Sequence, residues 1–182
     1  MARNATIIKV ELSVSDMDRH YYATHKLTVA KHPSETDERL MVRLLAFALH
    51  ADEALEMTKG LSTDDEPDIW LKSLSGDLHQ WISLGLPSDK VIRQSCGKAN
   101  NVVIYSYGGR TAEQWWQKVA STTDRFNNLS VVNLSDEDTA ALKALASRSM
   151  AMQVSIQGDD VMVCVGDEVV YITLQRWKQA AH

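Results

Sequence analysis

The sequence predicts a mixed α/β domain, a mixed sheet with helices packed on it. Three observations predict this class. Segments of alternating apolar and polar residues recur along the chain, the period of strands with one buried face. Between them stand segments whose apolar residues fall three and four apart, the period of a helix with a buried stripe. No repeat, low-complexity tract or Pro/Gly-rich linker divides the 182 residues, which include only three prolines. One domain over residues 1–182 is therefore expected.

Residues 5–14 and 20–30 read as two strands joined by the acidic turn SDMDR, a hairpin with one wet face. The strongest helix is expected over 34–59. Pro33 stops the strand before it, Ser34 is the expected N-cap, and Glu35, Asp37 and Glu38 suit the positive end. The stripe is Leu40, Leu44, Phe47, Ala48, Ala51 and Leu55, and Gly60 is placed to end the helix. The acidic run Asp64-Asp65-Glu66-Pro67-Asp68 leads into a strand over IWLKS, whose hairpin partner is 79–85.

Pro87 and Ser88 open a second helix through about Lys98, with Val91, Ile92 and Cys96 inward. Residues 101–107 have the β-branched and aromatic bias of a buried strand, and a short helix carrying Trp115 and Trp116 follows. A strand over 129–134 precedes a helix that Ser135 caps and that runs through Ser147. Strands over 150–157, 160–165 and 168–174 complete the order, separated by Gly-Asp turns at 158–160 and 166–167.

The content of 45% apolar and 24% charged residues is ordinary for a globular protein. A chain of this size buries about 70% of its unfolded surface, enough to fold without disulfides or a structural metal. Cys96 and Cys164 sit in apolar settings and read as buried thiols. No apolar run reaches the ~20 residues of a membrane span. The first residues move straight into a strand without a signal-peptide core, so a cytosolic protein with no membrane partner is expected. The net charge of −5, with Lys and Arg scattered, counts against tight non-specific DNA binding.

Chemistry is first sought at the acidic run. Converging carboxylates can hold Mg²⁺ or Mn²⁺, which prefer oxygen ligands. In strand geometry Asp68, Trp70 and Lys72 share one side, as do Trp81, Ser83 and Gly85 on the partner. Glu38 lies at the rim of the first helix's stripe. The plain reading is a solvated loop and a glutamate at a helix N-terminus. Arg39, Arg43, Lys72, Lys90 and Arg93 are the nearest cations; they either line a mouth for an anionic ligand or form ordinary ion pairs.

Other residues carry less. His20, His25 and His32 lack ligand-like spacing, and Ser95-Cys96 with His79 lacks a nucleophile elbow. Gly108-Gly109-Arg110 reads as a turn, with approach to a phosphate as the alternative. Trp70 and Trp81 either pack or stack on a base or other ligand. Trp115 and Trp116 would point about 100° apart on a helix, one into the core and one outward.

The segments KHPSETDERLMVRLLAFALHADE (31–53), GLSTDDEPDIW (60–70) and WISLGLPSDKVIRQSCGKA (81–99) resemble the YaeQ family. The continuation VVIYSY and the tryptophan pair at 115–116 fit as well, and the resemblance covers nearly the full length. It implies a fold similar to the PD-(D/E)XK nucleases, with extra N- and C-terminal strands around a helix–hairpin–helix–strand core. It also implies a site of Glu38, Asp68 and the position two before Gly85. In such nucleases the second hairpin strand supplies an acid and then, two residues on, a lysine. The acids hold the metal and the lysine orients the attacking water.

This chain departs from that pattern. Ser83 stands where the family usually has Glu, and Gly85 occupies the lysine position, as it does in the family pattern itself. Lys72 and Lys90 are the candidates to replace the lysine. The implied metal ligands are Glu38 and Asp68, with Ser83 and Lys90 completing the catalytic candidates and Mg²⁺ held weakly at most. The leading reading is a non-catalytic or weakly active relative of metal-dependent nucleases, acting by binding a protein or nucleic-acid partner. The alternative is an active Mg²⁺-dependent phosphodiesterase whose ligands are redistributed among Asp64, Asp65, Glu66 and Asp68. A structural or regulatory protein without a ligand is the third reading.

Overall fold

The computed structural model describes residues 4–58 and 65–181. The elements begin with strands β1 (Thr6–Asp16) and β2 (Tyr21–Lys31), helix α1 (Asp37–Leu49), and strands β3 (Leu55–Met57), β4 (Ile69–Lys72) and β5 (Leu78–Leu84). Helix α2 (Asp89–Lys98), strand β6 (Asn101–Ser106), helix α3 (Arg110–Thr123), strand β7 (Leu129–Asn133) and helix α4 (Asp136–Lys143) follow. Strands β8 (Ser149–Gln157), β9 (Asp160–Val165), β10 (Glu168–Thr173) and β11 (Gln175–Lys178) close the order. The mixed α/β class holds, but the strands divide over two mixed sheets where the order of elements suggests one. The chain forms two compact units, Met1–Ala51 with Glu137–Leu174, and Asp52–Asp136 with Gln175–His182.

The first unit carries the sheet β10-β9-β8-β1-β2. β1 pairs antiparallel with β2 and parallel with β8. Alternation along β1 buries Ile8, Val10, Leu12 and Val14. The β1–β2 turn is fixed by Asp16, whose carboxylate accepts the N–H groups of Asp18 and Arg19, both at 3.1 Å. Helix α1 packs against β1 and β8. Every residue from Leu40 to Ala48 is buried, so α1 is an interior helix rather than one with a single apolar stripe.

Both ends of α1 correct the sequence reading. Its N-cap is Thr36, which accepts the Arg39 N–H at 3.1 Å, while Ser34 belongs to the preceding turn and bonds His32. It ends at Leu49 rather than continuing to 59, because Asp52 captures the Ala54 N–H at 2.8 Å. A short acceptor that bonds its own backbone two residues on favours a turn over a helix. Leu55 is buried as expected, but in β3. Gly60, expected to end the helix, lies outside the described residues.

The second unit carries the sheet β11-β7-β6-β5-β4-β3. β3, β4 and β5 pair antiparallel, β5, β6 and β7 parallel, and β11 joins β7 antiparallel at the edge. Ser88 caps α2 as expected, accepting the Val91 N–H at 3.3 Å. A core of Trp81, Ile92, Val102, Ile104, Val119 and Leu129 lies between the sheet and helices α2 and α3. Helix α4 stops at Lys143, short of the expected Ser147. The strands β3 and β11 have no counterpart in the sequence reading: β3 falls inside the span expected for the first helix, and β11 follows the last expected strand.

Candidate functional site

Asp68 is the most constrained of the candidate residues. It lies one residue before β4, is 7% exposed, and is held by its backbone on both sides. Its C=O accepts the Thr58 N–H at 3.0 Å, and its N–H donates to the Ile82 carbonyl at 3.1 Å. Its carboxylate Oδ2 accepts the Leu84 N–H at 2.9 Å. The last two bonds grip β5 on either side of Ser83, so the structure brings Asp68 and Ser83 together. Ser83 is half-buried.

Gly85 has φ of +94° and donates its N–H to the Tyr105 carbonyl at 2.9 Å. A lysine there would be strained in the left-handed region, which gives the glycine a backbone role. Both candidate replacement lysines are exposed. The Lys72 ammonium lies 3.8 Å from the Trp70 ring centre. Lys90 stands in the first turn of α2. Lys98 approaches the acidic run, 3.7 Å from exposed Asp65, and also lies over the Trp81 ring. Asp64 lies outside the described residues.

Glu38 belongs to the first unit, half-buried in the first turn of α1. The buried carboxylate of that region is Glu35, at 4% exposure. Glu35 accepts Arg39 Nη1 and Arg43 Nη2, both at 2.7 Å, and Arg43 Nη2 also reaches the Ala30 carbonyl at 3.1 Å. Two cations of the expected basic rim are therefore engaged in an internal ion-pair network. Among the described residues, no three His, Cys, Asp or Glu side chains gather closely enough to hold a metal ion.

The remaining candidates resolve to structural roles. His25 bonds Tyr21 through Nε2 at 2.8 Å and packs edge-on against Phe47. His79 bonds Asn100, while Ser95 donates to the Val91 carbonyl. The Gly108-Gly109 turn is closed by the chain itself, since a Cβ on Gly109 would lie 2.1 Å from Asp136 Oδ2. Trp81 is core at 1% exposure and meets half-buried Trp70 edge-on. Burial pushes the Cys96 thiol up to about 11, with Lys178 partly opposing the shift.

The family model described as YaeQ protein matches residues 1–174. Uncharacterized protein YaeQ of Escherichia coli (strain K12) is 41% identical over 179 residues, 98% of this chain and 99% of that protein. The Salmonella typhi protein of the same name is also 41% identical over 179 residues, with the same coverage. The crystal structure of YaeQ protein from Xanthomonas axonopodis pv. citri superposes with a TM-score of 0.92 at 47% identity, covering 98% of this chain and 99% of that one. That from Pseudomonas syringae has a TM-score of 0.91 at 31% identity, covering 98% of each chain.

Proposed function

The chain belongs to the YaeQ family, and on that premise we propose that it is a non-catalytic or weakly active relative of metal-dependent nucleases, acting by binding a protein or nucleic-acid partner. The PD-(D/E)XK likeness is part of this proposal. The observation that carries the reading is Asp68 gripping β5 around Ser83. That position holds a hydroxyl where the resemblance implies a carboxylate. Mg²⁺ dehydrates reluctantly and is held through carboxylates. One buried carboxylate with a hydroxyl beside it does not fit the ion.

The missing lysine supports the same reading. The left-handed backbone at Gly85 disfavours any larger side chain, and Lys72 and Lys90 face solvent. Calorimetric titration with Mg²⁺ and Mn²⁺ and cleavage assays on single- and double-stranded DNA and RNA test the reading. The expected result is neither tight metal uptake nor cutting, and tight uptake with cutting overturns it. Filter binding across a salt series then sorts the partner, because nucleic-acid affinity falls steeply with salt. No such affinity leaves the protein partner.

A further inference from the structure

We propose that the outer edge of strand β2 takes up an extended peptide segment as a further strand, with an acidic side chain of the peptide opposite Lys26. β2 closes one end of the sheet order β10-β9-β8-β1-β2. It lies in the first unit, and the inference does not rest on the reading of Asp68.

The direction of the β2 backbone follows from two bonds. The Lys9 N–H donates to the Arg148 carbonyl at 2.8 Å, on the β8 side of β1. Alternate residues of a strand direct their backbone groups to opposite neighbours, so Ile8, Val10, Leu12 and Val14 serve β2. Their partners there are Val29, Leu27, His25 and Ala23. Tyr22, Thr24, Lys26 and Thr28 therefore point their N–H and C=O groups away from β1, and all four residues are exposed. The second bond agrees, since Arg43 Nη2 reaches the carbonyl of Ala30, a member of the same outward set, at 3.1 Å.

Proteins blunt such edges with short strands, bulges, prolines or charges. The other sheet edges conform: β3 has three residues, β11 has four with a register shift, and β10 has six. β2 pairs with β1 over all 11 of its residues, without a shift or a proline. Its inner face is also unfinished. Val10 and Val14 of β1 are buried, whereas their partners Leu27 and Ala23 on β2 are only half-buried. A further strand would cover them.

The occupant follows from charge and area. β2 holds Lys26 and Lys31 and no acid, and Lys31 is paired with Asp37 at 2.8 Å. Lys26 stands in the middle of the outward set. Its cross-strand neighbour Glu11 lies behind it on β1. An incoming strand would therefore meet Lys26 at about 5 Å and Glu11 only at about 10 Å. A carboxylate facing Lys26 is favoured and a lysine there is disfavoured. The same rule counts against a second copy of the chain, because pairing most of β2 with itself about a two-fold axis sets the two Lys26 side chains opposite or diagonal to each other. The area points the same way. An edge about 36 Å long and about 10 Å thick covers roughly 360 Å² per partner, well short of the ~800 Å² of a stable interface. A single extended segment needs less, since its main-chain bonds supply the affinity.

The test uses the full chain, isotope-labelled, with amide hydrogen exchange read residue by residue. The probes are a peptide of alternating valine and threonine with a central glutamate, and the same peptide with a central lysine. In the free chain Ala23, His25 and Leu27 should exchange slowly, and Tyr22, Thr24, Lys26 and Thr28 fast. The glutamate peptide should slow those four saturably and bind about fivefold tighter than the lysine peptide. Thr24→Pro removes one outward N–H and should abolish the effect, with slow exchange at His25 and Leu27 showing that the hairpin is intact. Lys26→Gln keeps every backbone group and should erase the preference for glutamate. Protection of the four amides that rises with protein concentration in the free chain overturns the proposal in favour of a second copy. No slowing by either peptide, equal binding of the two, or a glutamate preference that survives Lys26→Gln overturns it outright.

Discussion

Asp68 holds the β5 backbone on both sides of Ser83, through its own N–H to the Ile82 carbonyl at 3.1 Å and through its carboxylate from the Leu84 N–H at 2.9 Å. A buried carboxylate used in this way supports the hairpin whatever else it does. Asp68→Ala leaves the Leu84 N–H without that acceptor, which costs about 1–3 kcal/mol. Asp68→Asn retains an acceptor oxygen and should lose less. Urea unfolding of the two variants checks this order, and equal stability of both with the parent contradicts it.

Glu35 binds two arginines at 2.7 Å while 4% exposed. Removing one member of a buried charge network strands the others, at about 3–5 kcal/mol. Glu35→Ala should therefore unfold at markedly lower denaturant than Asp37→Ala, a change at an exposed residue of the same region. A difference below about 1 kcal/mol would show that the network is surface-like.

Gly109 combines φ of +59° with a Cβ position 2.1 Å from Asp136 Oδ2. Gly109→Ala must both adopt a left-handed backbone and displace that carboxylate. A cost above about 1 kcal/mol is expected, since strained positions of this kind cost about 1–3 kcal/mol each. Adding Asp136→Ala should recover the steric part, so the double variant is less destabilised than the two single effects added together. Strict additivity in thermal unfolding would place the strain elsewhere.

The Cys96 thiol is pushed up to about 11 by burial. Since the thiolate is the reactive form, alkylation of Cys96 in the folded protein should be slow at pH 8 and rise toward pH 11. The sign for stability follows. The folded state holds the proton more tightly than the unfolded state, so the contribution is present below the unfolded pKa and is lost as pH rises through about 11. Rapid alkylation at pH 8 in the folded chain would contradict the shift.

Local signals account for what the sequence discloses. The β1–β2 hairpin, α2 with its Ser88 cap, and β6 are legible because alternation and capping are written in adjacent residues. The end of α1 is not, since a turn seeded by Asp52 competes with an otherwise unbroken apolar pattern. The resemblance singles out Asp68 and Ser83, but the grip between them depends on backbone atoms that no side-chain motif encodes. Glu35 reads only as an acid at a helix start, because its arginine partners converge through the fold. Trp116 stacks on Trp177, 61 positions away in sequence, and the contact leaves no mark on either segment.

The sharpest test of the Asp68 site is to restore the missing charge. A hydroxyl at position 83 removes one negative charge from the ligand set, leaving too little to offset the dehydration of Mg²⁺. Ser83→Glu places a carboxylate between the two backbone groups that Asp68 grips. Calorimetry should detect little Mg²⁺ binding in the parent and a clear gain in Ser83→Glu. The gain should vanish when Asp68→Ala is added. Because Asp68→Ala also weakens the hairpin, the same comparison is made with Asp68→Asn, which keeps an acceptor oxygen but removes the charge. A gain that survives Asp68→Asn would mean that the introduced carboxylate holds the ion with groups other than Asp68. No gain at all in a folded Ser83→Glu variant would remove Asp68 and Ser83 from any metal site.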